Sequence, residues 1–313
     1  MKRKRGGGVL NKKLTLQNVK RRLPLFLDFQ QAILNIDCTA HYKNRKMTDT
    51  SQPAQSILTS PITLIGRGTL FFFEDTGRYF SIVWWMLRNV SNAREYSRNI
   101  LQQMVMIGNN SIPIVLFVST FVGMVTAVQS SYQLYEWIPR TVVGALVIKS
   151  VLLELVPLLT ALVLAGKVGA TITAEIGTMR VTEQIDALEA LAFDPISFLI
   201  TPRVLAGIFM FPILVIFGDC VALLGGMFGA SAVAGISSEA FLEGMKNSFE
   251  TWDAVYGIIK SVFFGYIITS VACYQGYKVQ GGSEGVGKAT MNTVVLTCLI
   301  VVVMDFVLAS VLL

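Results

Sequence analysis

Histidine is almost missing from this chain, with one residue in 313, and charged side chains make up only 15% of it, against roughly 25% in soluble domains. The single histidine, His41, has no second histidine or neighbouring cysteine to share a metal with, and a zinc site takes three or four ligands. Four cysteines, Cys38, Cys220, Cys273 and Cys298, are far apart, and three of them lie in apolar segments, which excludes a disulfide framework or a thiolate metal knot. No nucleophile stands beside a base in the apolar segments. A catalytic centre and a metal site are therefore not expected.

What the chain does have is hydrocarbon: 53% of its residues are apolar and its mean hydropathy is +0.59, so it belongs in a bilayer. The net charge of +6 would suit nucleic acid, but twelve of the 26 Lys and Arg fall in residues 1–60, against three acids (Asp28, Asp37 and Asp49). That is the distribution of a positive-inside anchor, and it excludes a nucleic-acid partner. Residues 1–60 lack the apolar core of a cleaved signal, and their three serines (Ser51, Ser56 and Ser60) argue against a plastid transit peptide. They read as a basic, flexible cytoplasmic tail, with Met47 as an alternative start, ahead of a membrane domain at 61–313.

Between Ile62 and Val90, Ile62, Ile65, Phe73, Phe80, Trp84 and Leu87 recur at spacings of three, four or seven, while Arg67, Glu74, Asp75 and Arg78 break the apolar run. This pattern predicts a helix lying in the membrane interface. Residues 99–135 carry no charge, and 111–128 nearly fill the roughly 20 residues that a span requires. Further spans are expected at 141–166, 204–236, 257–277 and 289–313, giving an all-α integral membrane protein of about five transmembrane helices. With five spans, loops 130–140 and 237–256 share one side, and their only basic residues are Arg140 and Lys246. Loops 167–203 and 278–288 share the other side with the tail and hold Lys167, Arg180, Arg203, Lys278 and Lys288. That basic side is the expected cytoplasm.

The cytoplasmic side includes a polar island, "TAEIGTMRVTEQIDALEALAFDP" at 173–195. Thr178 can cap a new helix after Gly177, and Val181, Ile185, Leu188 and Ala192 would then share one face. Glu183, Gln184, Asp186 and Glu189 lie on the other faces, and Asp194-Pro195 ends the run. A short acidic cytosolic helix pinned between two spans is expected.

The stretch "AGKVGATITAEIGTMRVTEQIDALEALAFDPISFLITPRVLAG" (165–207) closely resembles the signature of the MlaE family of ABC-transporter permeases, whose A-E-x-G-x-M-x-x-x-E-Q core is followed by D-P and P-R. The later segments "GYKVQGGSEGVGKATMNTVV" (276–295) and "MDFVLASVLL" (304–313) are similar to that family's last loop and span. The resemblance runs from about residue 62 to the end. It implies a permease that pairs as a homodimer in a bacterial inner membrane, with its amino terminus cytoplasmic. Separate cytosolic ABC ATPase subunits would bind the ATP, so the permease needs no cofactor, and a substrate-binding protein with a mammalian-cell-entry domain would be a further partner. The cargo implied is phospholipid or a related lipid moving between inner and outer membranes. The island would be the coupling helix, with Glu175, Gly177, Glu183 and Gln184 at motif positions and Asp186 beside them. Gly177 suits either a close backbone approach or a sharp bend, and the carboxylates can meet basic or amide groups on the partner.

Gly282-Ser-Glu-Gly-Val-Gly-Lys288 fits most of a phosphate loop, but Ala289 replaces the magnesium-binding hydroxyl and no strand precedes it. Inside the spans, a carboxylate at mid-bilayer costs about 2.5 to 3.5 kcal/mol, so Glu154, Asp219 and Asp305 should face protein or water. Lys149 and Glu154 are candidates for a lipid-headgroup cavity, although five residues separate them on the helix. The family often has Arg immediately before this glutamate, where Leu153 stands here. Asp219 and Asp305 read as structural. The alternative function is a secondary lipid transporter or scramblase that uses these carboxylates as proton sites, for which inverted repeats would be the sign; none is visible.

Overall fold

The computed structural model describes residues 61–89, 97–135 and 137–312, and every regular element among them is helical. The tail, Met47 and His41 lie outside those residues. Helix α1 is Pro61–Asn89 and α2 is Ser97–Gln133. Helix α3, Thr141–Val181, runs unbroken through π turns at Val151–Leu155 and Ala165–Gly169. A seven-residue α4, Gln184–Ala190, follows, and α5, Ile196–Ala232, opens on a π turn. Then come α6, Ser238–Ser248, α7, Thr251–Tyr277, and α8, Gly282–Leu312.

Helices α2, α3, α5, α7 and α8 are long and apolar enough to cross a membrane. Helices satisfy their own backbone where no water can, which is why an apolar chain of this kind is all helix. Three spans begin earlier than their hydropathy suggested, α7 among them at Thr251 rather than 257. Helix α5 starts at Ile196 rather than 204, because the Asp194 carboxylate accepts from the backbone N–H of Ile196 and Ser197 and so caps it. Helix α8 starts at Gly282 rather than 289, so Gly285 and Gly287 of the apparent phosphate loop are wound into a helix and form no phosphate cradle.

Residues 68–313 form one compact unit. At the end that holds the island, Leu164, Ile172, Ile176, Ile185, Phe211, Phe264 and Ile268 pack into the larger apolar core. At the opposite end, Val143, Val147, Val151, Ala222 and Phe241 form a second one. Phe117, Phe121, Leu224, Phe228, Val303 and Phe306 stay exposed on the spanning helices, as side chains facing lipid should. Helix α1 is outside the apolar five. It turns Tyr79, Ile82 and Met86 toward the larger core and leaves Phe73, Phe80 and Trp84 outward.

Helices α2 and α5 touch through backbone. A Cβ on Gly123 would strike the Ala222 carbonyl, one on Gly225 the Thr120 carbonyl, and one on Gly229 would sit 2.9 Å from Met124 Cα. Small residues let helices approach closely where lipid supplies no hydrophobic drive. Replacing Gly225 by Leu should destabilise the bundle by about 1–3 kcal/mol through overpacking. Thermal unfolding in detergent measures this, and an unchanged midpoint would contradict the α2–α5 contact.

Candidate functional site

The spanning charges converge on α3 and its neighbours. Pro157 has no N–H to give, so the Leu153 carbonyl, four residues earlier, loses its α-helical donor. The Lys260 ammonium of α7 supplies one instead, 3.3 Å from Leu153 O. The same ammonium lies 2.5 Å from Glu154 Oε2 and 2.6 Å from Asp305 Oδ1 on α8, and 4.8 Å from the centre of the Tyr256 ring. The Lys260 side chain is fully buried and that of Asp305 is 10% exposed, but that of Glu154 is 41% exposed. One cation therefore joins three helices, and one of its two carboxylates opens outward.

Lys149 does not reach Glu154. Its ammonium sits 2.9 Å from Glu250 and 2.8 Å from Asp253 at the start of α7. On an α-helix two residues five apart diverge, but the π turn at 151–155 widens the helix by one residue per turn, so that Lys149 and Glu154 both meet α7. The basic position vacated at Leu153 is thus not refilled by Lys149. Asp305 meets Lys260 as an ion pair, and Asp219 Oδ1 is buried without a hydrogen bond. Lys260 is the residue that sequence reasoning passed over. A lysine in an apolar helix, with Glu154 and Pro157 elsewhere in the spans, was the available signal.

The island does not break where Thr178 suggested. Its hydroxyl donates back to the Ala174 carbonyl, a bond that leaves the helix running on to Val181. The turn comes at Glu183, whose φ of 59° is left-handed, and a second left-handed residue, Ala192 at 60°, follows α4. The predicted apolar face is divided accordingly: Ile185 is fully buried and Leu188 partly, whereas Val181 and Ala192 are exposed.

Within α3, Gly177 is no bend; a Cβ there would lie 3.0 Å from Val279 and 3.5 Å from Val286. Glu175 pairs at 3.3 Å with the buried Arg203, which also donates to Leu199 O at 2.9 Å. Arg180 joins Asp186 at 2.7 Å and lies over the Tyr277 ring at 5.5 Å, and the Tyr277 hydroxyl donates to Glu189 at 3.3 Å. Glu183, Gln184 and Asp186 are exposed. The structure thus separates the island residues: Gly177 is buried and Glu175 half-buried against Arg203, and the other three are presented on the surface. Arg203 and Tyr277 were not singled out from the sequence, because Glu175 and Glu189 are distant from them in it, and Arg180 was counted there only for its charge.

The family described as Permease MlaE matches residues 100–311. A probable ABC transporter permease of Rickettsia prowazekii is 35% identical over 247 residues, covering 79% of this chain and 95% of that protein. A probable ABC transporter permease of Synechocystis is 38% identical over 238 residues, 76% of this chain and 90% of that one. The intermembrane phospholipid transport system permease protein MlaE of Haemophilus influenzae is 36% identical over 251 residues, 80% and 96% respectively.

Substituting Lys260 by Met would leave Asp305 buried and unpaired and should cost about 3–5 kcal/mol. A triple variant, Glu154→Gln, Lys260→Met and Asp305→Asn, should recover most of that loss. Unfolding in detergent tests both, and a Lys260→Met protein as stable as wild type would refute the pairing.

Proposed function

The chain belongs to the MlaE permease family, and we propose that it is the membrane-spanning subunit of an ABC transporter that moves phospholipid between an inner and an outer membrane. The observation that carries this reading is the half-open Glu154. A carboxylate 41% exposed along a spanning helix is too costly to leave against hydrocarbon, so that side of the bundle meets water, a polar headgroup or a second copy. A homodimer that encloses a lipid-headgroup cavity provides all three. The names of the relatives favour an ATP-driven permease over a secondary transporter or scramblase.

In this reading the amino terminus and the island are cytoplasmic, in a bacterial inner membrane, as the distribution of Lys and Arg supports. Helix α4 seats in a separate ATPase, which binds the ATP; the chain itself hydrolyses nothing and holds no cofactor. Glu183, Gln184 and Asp186 make the contact, supported by their exposure. Glu175 and Gly177 serve it from behind by holding the end of α3 to Arg203 and Val279, supported by the ion pair and the close approach. A protein with a mammalian-cell-entry domain receives or delivers the lipid on the far side.

Purification of the native complex followed by mass spectrometry should return an ATPase subunit and phospholipid, and the isolated chain should show no ATP hydrolysis. Glu183→Lys should lower the ATPase retained at least ten-fold while the permease's unfolding midpoint stays put. Retention at wild-type affinity would count against the contact. A membrane-impermeant label at position 186 should react only from the cytoplasmic side, and reaction only from the opposite side would overturn the orientation.

A further inference from the structure

The end of α7 is gripped from three directions. Val279 packs beside Gly177 of α3, and Tyr277 holds α4 through Glu189 and α3 through Arg180. The third grip reaches α1. Lys278 places its ammonium 2.8 and 2.7 Å from the two oxygens of Asp75, and the Tyr274 hydroxyl donates to Asp75 Oδ1 at 2.6 Å. One turn further along each helix, the hydroxyls of Tyr79 and Ser270 are hydrogen-bonded at 2.8 Å, and the Tyr79 and Tyr274 rings meet edge to face at 5.6 Å.

Residues 270 and 274 of α7 and the cap residue Lys278 form one stripe at spacings of four, and Asp75 and Tyr79 form the matching stripe of α1. Ser270 and Tyr274 are 4% and 6% exposed, so this is a packed seam and not a loose surface pair. Burial pushes the Asp75 carboxyl up, but the hydrogen bonds from Lys278 and Tyr274 and the nearby positive charges of Lys278 and Arg78 outweigh it and hold its pKa below the usual value. The Asp75 carboxylate therefore stays ionised at neutral pH.

We infer that α1 is a working arm of the coupling device: the Asp75–Lys278 ion pair and the Tyr79–Ser270 bond tie it to the same helix end that Tyr277 ties to α4, so α4 cannot be displaced without moving α1. This rests on the reading of α4 as the ATPase-facing helix. Asp75, Tyr274 and Lys278 are positioning residues, since they touch neither nucleotide nor cargo. The outward stripe of Phe73, Phe80 and Trp84 then gives the moving arm a face that rubs against lipid, so each ATPase stroke is felt in the cytoplasmic leaflet beside the permease.

Hydrogen exchange of the α1 amides at 73–86, measured on the assembled complex with and without a trapped nucleotide, tests this. In wild type the exchange of these amides should change at least threefold on trapping. In Asp75→Asn and in Lys278→Gln that response should fall by three-quarters or more, and the swap Asp75→Lys with Lys278→Asp should restore at least half of it. If Asp75→Asn does not assemble, Tyr274→Phe, which removes only the hydroxyl, is read by the same criterion. No response in wild type, or the same response in the single variants, would overturn the inference. Phospholipid transfer by the same wild-type complex is followed separately, and its absence would count against the cargo while leaving the exchange comparison decisive.

Discussion

A buried ammonium is the constraint around which this bundle is organised. Lys260 cannot be left in hydrocarbon without counter-charge, and its ligands are drawn from three helices: the Leu153 carbonyl and Glu154 on α3, Asp305 on α8, and the Tyr256 ring of its own α7. Satisfying it fixes how those helices are rotated about their axes. Lys149 repeats the pattern nearer the helix end, again bracketed by two carboxylates. In each cluster a single cation meets two acids, so one lysine serves two carboxylates that different helices bring to it.

The helix that carries this fixed point, α3, is 41 residues long, about 60 Å at 1.5 Å per residue, about twice the roughly 30 Å of a hydrocarbon core. The same helix therefore carries the charge cluster near one end and Glu175, Gly177 and Arg180 at the other. Its far tip is braced by Arg203 and by the end of α7. Helix α4 follows after a two-residue turn at Thr182–Glu183, so the island is the near continuation of a helix that also bears Glu154.

Hydropathy made the five spans legible because an apolar run of span length has few other uses, and the resemblance of 165–207 to a permease signature was carried by local spacing. Boundaries were less legible. The start of α5 depends on a side-chain cap from Asp194, and the start of α8 on glycines that helix propensity counts against. The break in the island was misplaced because a threonine hydroxyl serves equally well as a cap or as a bond within a helix, and the actual turn uses a left-handed glutamate with no special sequence mark. Interhelical partners such as Lys260 with Glu154, or Lys278 with Asp75, lie more than a hundred residues apart, and nothing local encodes them.

The π turn at Val151–Leu155 has a further consequence in descent. Such a turn is what a helix becomes when it absorbs one extra residue without unfolding. Losing a single codon there would return the segment to ordinary winding and rotate everything on one side of it by about 100° relative to the other, swinging either Lys149 or Glu154 away from α7. The alignment of these two charges thus hangs on the one extra residue that the turn accommodates. Gain or loss of that residue is a discrete step that reassigns which side chains of the helix face its neighbours.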